Sequence, residues 1–340
     1  MRVPHALPTV SSIDMVDVLL AATREGISRA TADTGWDVTA VVQGRRVHCL
    51  AADPIHPGVV FAGTEDGEVL RSDDNGRSWD LAGRVGRHVR SLAASPHEPG
   101  VLYAGARPAA VHRSQDGGET WGELIGFRRI RGRRLWFSPA GAPFTAYVHA
   151  LAVSPTEPGV VVAGIEFGAV VRTVDGGRTW SGHRRGALRD CHGLCFHAVE
   201  GSHVYESGYG GGAVSSDAGD TWSSPRAGLD RKYGWAVAAD PARPEVWYVS
   251  AAPGPGTAHG SKPAEAFVFR KIGESPWEKL GGGLPQPLDS MPYTLVTRRD
   301  APGYLMAALA NGDVWQSLDL GDTWGRLAVR LPANDVVLAL

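Results

Sequence analysis

Ser114-Gln115-Asp116-Gly117-Gly118-Glu119-Thr120-Trp121 is one of five near-copies in a chain of 340 residues. Ser72 to Trp79, Thr173 to Trp180, Ser215 to Trp222 and Ser317 to Trp324 repeat its pattern, Ser/Thr-x-Asp-x-Gly-x-Ser/Thr-Trp. Asp74, Asp175, Asp217 and Asp319 stand where Asp116 does. The pattern predicts a tight hairpin turn. The Asp carboxylate caps backbone N–H groups, Gly supplies a positive φ, and the hydroxyls bond locally. The Trp then fills the gap beside the next strand. These five aspartates are therefore structural clips, and they are assigned neither a catalytic nor a metal-binding role.

Aligning on the motif Trp and its degenerate equivalents gives Trp36, Trp79, Trp121, Trp180, Trp222, Trp277 and Trp324, hence seven units. Their spacing, roughly 40 to 50 residues apart from two longer intervals, is that of a four-stranded propeller blade. In unit two, Val47 to Ala52, Val59 to Thr64, Glu68 to Ser72 and Asp80 to Gly83 read as strands A to D, with Asp53-Pro54-Ile55-His56-Pro57-Gly58 turning A into B. The expected fold is all-β: a seven-bladed β-propeller of four-stranded antiparallel blades, one domain over residues 1–340. Blade one is shared between about 13–43 and 334–340. Asp17 to Ala22, Ile27 to Ala32 and Val38 to Gln43 supply its strands B to D, and Val336 to Leu340 supplies the missing inner strand. That closure removes the open edge a ring would otherwise expose.

Composition limits the partners. With 34 basic and 36 acidic residues, nothing calls for nucleic acid or an acidic membrane surface. The 44 Gly and 23 Pro fit many short strands joined by turns, and 43% hydrophobic residues suffice for a core. Met1 to Ser12 holds no positive cluster followed by an apolar run, and no apolar run is long enough to cross a membrane as a helix. Cys49, Cys191 and Cys195 are too few for a disulfide framework. A soluble, cytoplasmic chain is expected.

Two insertions, about 126–146 and 251–264, mark a face. The first joins strand D of blade three to strand A of blade four and carries Arg128, Arg129, Arg131, Arg133, Arg134, Trp136 and Phe137. The second, with His259 and Lys262, joins strands B and C of blade six. In an up-and-down blade these links emerge at the end opposite the C-to-D turns that hold the aspartates. Function is expected on this decorated face, where loops stand on a rigid scaffold.

Aligning the inner strands brings His48, Arg90, His149, His192, Trp235, Tyr293 and Val336 to one position near the channel mouth. Six of the seven are polar or amphipathic, the make-up of a ligand cup. Arg24, Glu65, Arg107, Glu166, Glu206, Tyr209 and His259 come from the ends of strands B and the loops beyond. Glu65 and Glu166 form the best carboxylate pair for general acid and base work, with His149 and His192 as further reactive groups. His48, Arg90, Arg107, Trp235, Tyr293, Tyr209 and Arg24 are ligand-binding candidates. His48, His149 and His192 offer three nitrogen ligands for a divalent transition metal.

The repeated motif resembles the Asp-box, or BNR repeat, of sialidases, sortilin-type receptors, xyloglucan hydrolases and photosystem II assembly factors, and the likeness runs from Ile13 to Leu340. It implies a propeller and leaves the function open, because enzymes, receptors and assembly factors share it. Sialidases have six blades, an arginine triad for the substrate carboxylate, an Asp acid/base and a Tyr-Glu nucleophile pair. Here the units number seven, and the nearest match to their Arg-Ile-Pro signature is Arg129-Ile130-Arg131. Arg24, Arg90 and Arg107 imitate a triad and Tyr205-Glu206 are adjacent, yet these roles do not carry over residue by residue, and a sialidase is not supported. Three readings stay open: a small-molecule or glycan-binding propeller with hydrolase or lyase activity, a non-catalytic platform binding a protein through Arg128 to Phe137, and a metal-dependent enzyme.

Overall fold

The computed structural model describes residues 16–32, 35–139 and 142–340. Met1 to Ser12 and the start of the first unit at Ile13 lie outside the described residues. Twenty-six strands form seven antiparallel sheets. Their inner strands are Val336–Ala339, Val47–Ala52, His88–Ala94, Val148–Val153, Cys191–Phe196, Tyr233–Ala239 and Pro292–Arg298. Each packs against the next, and the last returns to the first, so the sheets stand in a ring. The protein is a seven-bladed β-propeller.

The seam of the ring lies in blade one. Val336–Ala339 pairs antiparallel with Val18–Ala22, matching Val336 to Ala22 and Ala339 to Leu19. Val337 is 2% exposed and packs with Leu19, Met306 and Val329. Blades four and five depart from the expected four strands, because each has three. Their outer edges survive as separate bonds: Ser181 N–H to Arg172 O at 2.8 Å, Arg184 N–H to Val170 O at 2.9 Å, and a reciprocal Val214–Ser223 pair. Gly182 in one and Pro225 in the other interrupt what would be strand D.

Blades are held together by apolar side chains trapped between neighbouring sheets, and a small residue on strand B lets the next blade approach. A Cβ on Gly105 would stand 2.2 Å from Ser91 Oγ, and one on Gly164 would stand 2.2 Å from Cys191 Sγ. The cysteines are free and packed, and burial pushes the Cys49 and Cys195 thiols up to about 12. That makes them inert fillers.

The repeated turn has the expected chemistry. In the third blade Ser114 Oγ donates to Asp116 at 2.7 Å and accepts from Gly118 N–H at 2.9 Å. Asp116 also accepts from the Thr120 amide at 2.9 Å and its hydroxyl at 2.5 Å, and these bonds hold its carboxyl at about 2. Trp121 Nε1–H closes the turn on Gly118 O at 2.8 Å. The same bonds recur around Asp74, Asp175, Asp217 and Asp319. Every donor that reaches these carboxylates belongs to its own turn. No helix among the described residues is long and apolar enough to cross a membrane.

One substitution and one truncation rank these contacts. Ser215 is 1% exposed and is the acceptor for Gly219 N–H, so Ser215→Ala should cost about 1–3 kcal/mol in urea unfolding. Deleting 334–340 bares the edge of Val18–Ala22 and should lower the melting temperature further. A truncated chain that melts above Ser215→Ala would show the seam to be dispensable.

Candidate functional site

The inner strands share an irregularity at their entry ends. His48 falls between Val47, paired with Thr64, and Cys49, paired with Gly63, so it faces no partner. Arg90, His149, His192 and Tyr293 occupy the same β-bulge in their blades, and Trp235 lies in the equivalent break between Gly234 and Val237. Val336 in blade one pairs regularly. A bulge bends the strand and re-aims one side chain. Six such bulges bring six large polar or aromatic groups to one mouth.

They line a cavity of about 790 Å³, together with Arg24, Glu65, Arg107 and Glu166 from beyond strands B. Tyr209 does not join them. Strand B of blade five ends at Gly208, Tyr209 N–H turns back to Asp190 O at 2.9 Å, and the ring projects outward beside Phe137 and Phe167. Tyr205 and Glu206 are not a site either. Alternation turns them to opposite sides of strand B, where Tyr205 donates to Pro244 O at 2.6 Å and Glu206, pushed up to about 8 by burial, accepts from Leu188 N–H. Arg46, His88, Tyr147 and Tyr233 also line the mouth. Each stands two residues before a ring residue, and the period-two rule applied backwards would have found them. Asp335 from the closing segment completes the wall.

One wall is cationic. Arg90 Nη1 lies 3.2 Å from His48 Nδ1, and its guanidinium covers the Tyr147 ring at 4.3 Å. A guanidinium can only donate, so His48 Nδ1 accepts and the proton of the neutral ring sits on Nε2. That ring packs on His88 with centroids 4.3 Å apart. Burial first, then the charges of Arg90, Arg107 and Arg46, hold His88 down at about 3. Burial likewise drives His48 and His149 far below the usual imidazole range, so all three rings are neutral near pH 7.

The facing wall is aromatic. Trp235 meets Tyr293 at 5.3 Å, His149 at 5.2 Å and His259 at 4.5 Å. His259 reaches in from the blade-six loop and bridges two tyrosines, Nδ1 at 2.6 Å from Tyr293 Oη and Nε2 at 2.9 Å from Tyr233 Oη. His192 Nδ1–H donates to Gly234 O at 2.7 Å, and its Nε2 lies 3.4 Å from Asp190. Glu166 accepts from Ser138 Oγ at 3.0 Å, and burial raises its carboxyl. Glu65 stands exposed at the rim.

The three expected metal ligands are not gathered. Among the described residues the group with ligand atoms within 4.8 Å of one another is His48, Glu65 and His88. His149 and His192 lie beside each other instead, rings 5.6 Å apart. The alternative group fits a cation poorly, because Arg90 already occupies His48 Nδ1 and the His48 Nε2 proton blocks the other nitrogen.

The fold and this mouth define a seven-bladed propeller with a polar, aromatic-lined axial cavity. No family model matches the chain, and no curated protein matches its sequence. Solved structures do. The GH74 xyloglucanase from Xanthomonas campestris superposes with a TM-score of 0.69 at 18% identity over 91% of this chain and 52% of that one. An ancestral GH74 enzyme gives 0.63 at 19% over 84% of this chain and 38% of its own length. The chain thus spans about half or less of these enzymes. YCF48 bound to a D1 peptide gives 0.59 at 16%, over 89% of this chain and 88% of that one. At such identities the likeness is one of fold.

Neutral buried imidazoles make stability depend on pH. The unfolded chain takes up these protons below about pH 6.5 and the folded one does not, so stability is full above that value and declines towards about pH 3. Unfolding free energy should fall by about 1–2 kcal/mol per imidazole between about pH 7.5 and 5. His149→Gln should shrink that fall, and equal slopes in the two proteins would show that the ring protonates freely when folded.

Proposed function

We propose that this propeller, an Asp-box member by its five repeated turns, binds a small acidic ligand of sugar size in the channel mouth. The observation that carries the reading is a set of buried donors without acceptors on that cationic wall: Arg46 Nε, His48 Nε2 and Arg90 Nε. A buried N–H without a partner costs about 1–3 kcal/mol, and the positive charge that Arg46 and Arg90 bring to the mouth suits a carboxylate or sulfate group. Trp235 and Tyr293 give a sugar ring an apolar face to rest on. The cavity's volume lies in the range of small-ligand sites.

The same mouth holds groups suited to hydrolysis or elimination. Glu166, whose proton burial helps retain, serves as acid, Glu65 as the exposed carboxylate base, and His149 and His192 stand beside the aromatic wall. In this reading binding and chemistry separate by residue.

The test is calorimetric titration with glucuronate and galacturonate against glucose and galactose. The acids should bind and the neutral sugars should not. Arg90→Gln and Trp235→Ala should each weaken binding about tenfold or more, while Glu166→Gln should keep binding and lose any turnover. If neither acid binds, or if both binding variants keep wild-type affinity, the reading fails.

A further inference from the structure

The four aromatic side chains that are exposed among the described residues stand in one place. Phe137, Phe144, Phe167 and Tyr209 are 52, 58, 39 and 52% exposed, and Leu135 among them reaches 82%. They come from the first insertion and from the B-to-C turns of blades four and five, all on the decorated face. Between them runs a depression of about 530 Å³, lined by Arg131, Leu135, Trp136, Phe137, Phe167 and Tyr209. None of these six lines the channel mouth. The Phe137 and Phe167 rings meet with centroids 5.4 Å apart, forming a two-ring shelf.

Two of these residues are held in a backbone region that bulky side chains avoid, Phe167 at φ 44° and Phe144 at φ 55°. Such conformations cost on the order of 1–3 kcal/mol. Phe167 is fixed there by bonds to its neighbour blade: its N–H donates to the Asp190 carboxylate at 3.1 Å, and Gly168 N–H donates to Arg189 O at 2.7 Å. The scaffold thus turns an apolar ring into water against both conformational and hydrophobic preference. Packing alone selects the reverse.

The shelf is edged with positive charge. Residues 124–139 contain five arginines and no acid. Arg128 pairs with Glu123 at 2.5 Å, and Arg133 binds Ala109 O over the Phe127 ring. Arg129, Arg131 and Arg134, with Arg189 opposite, are exposed and have no ion-pair partner among the described residues.

We infer that this depression docks an acidic peptide segment of another protein, with an aromatic or large aliphatic side chain on the Phe137–Phe167 shelf and carboxylates on Arg131 and Arg189. Charge decides the occupant. A second copy related by two-fold symmetry would set these arginines against themselves. A nucleic acid would need a wider basic field than a chain of net charge −2 supplies.

Selection from a random peptide library on the full chain tests this. Enriched peptides should carry acids flanking an aromatic or aliphatic anchor, and their binding should weaken with salt. The Arg131→Glu/Arg189→Glu variant should bind a winning peptide about tenfold or more weakly. Phe167→Gly should weaken binding similarly while the melting temperature holds or rises, because Gly takes that φ without strain. A ring that merely packs would lower the melting temperature. Arg90→Gln should leave peptide binding intact, which keeps this outcome separate from that at the mouth. The inference is overturned by a library that yields no binder, by winners without acids, or by wild-type affinity in either groove variant. Equally, an oligonucleotide or a self-association that disappears in the Arg131→Glu/Arg189→Glu variant would assign the surface to that occupant.

Discussion

A ring of sheets is only as continuous as its seam, and here the seam is the pairing of Val336–Ala339 with Val18–Ala22. Other inner strands join the outer strands of their blade through a short turn, whereas this one joins across the whole sequence. Its non-local character makes closure costly in chain entropy, because the loop it closes is nearly the whole chain. It also positions chemistry, because Asp335, one residue before the closing strand, stands against Arg46 at 3.4 Å and His48 at 3.8 Å. Sealing the ring and completing the mouth are the same event.

Much of this architecture was legible in the chain. The five turns identified the blade unit, and the seven aligned Trp counted it, because each residue type has a local job: a hydroxyl for the amide, a carboxylate for the next hydroxyl, a Trp for its own Gly carbonyl. Local bonding is what sequence reports best. All seven aligned inner-strand positions line the mouth, Val336 included, since one register step per blade carries them there together. What stayed hidden depends on geometry between blades. Alignment showed three histidines in equivalent positions, but ring spacing decides that His149 meets His192 while His48 meets His88. Tyr209 was misplaced because a single bond to Asp190 O turns it out of the mouth. The thin outer edges of blades four and five reflect Gly and Pro positions whose effect on pairing is tertiary.

The bulges explain why so unfavourable an assembly of charges is tolerated. In a regular strand, a histidine or arginine at these positions would either enter the blade core or compete with ladder bonds. At a bulge the extra residue is free of the ladder, so its side chain can be chosen without disturbing the pairing of its neighbours. Val336 is the counter-example: it pairs regularly and is aliphatic. The scaffold and the mouth therefore vary independently, which suits a fold that carries unrelated functions on one architecture.

Asp190 links the two surfaces of the decorated face. Its carboxylate accepts the Phe167 N–H that holds the shelf, and the same Oδ1 lies 3.4 Å from His192 Nε2 in the mouth. Oδ2 is buried without a partner, and the residue is 5% exposed. A buried carboxylate with one shared and one idle oxygen is sensitive to small displacements on either side, because the protein supplies no alternative donor. Straightening the backbone at Phe167 would release a hydrogen bond on Asp190, and moving His192 would change the field on that same oxygen. Asp190 is thus one bridge between groove and mouth, and the Ser138–Glu166 hydrogen bond, whose partners adjoin Phe137 and Phe167, is a second. That makes Asp190 a structural link of the face as well as part of the groove's own lining.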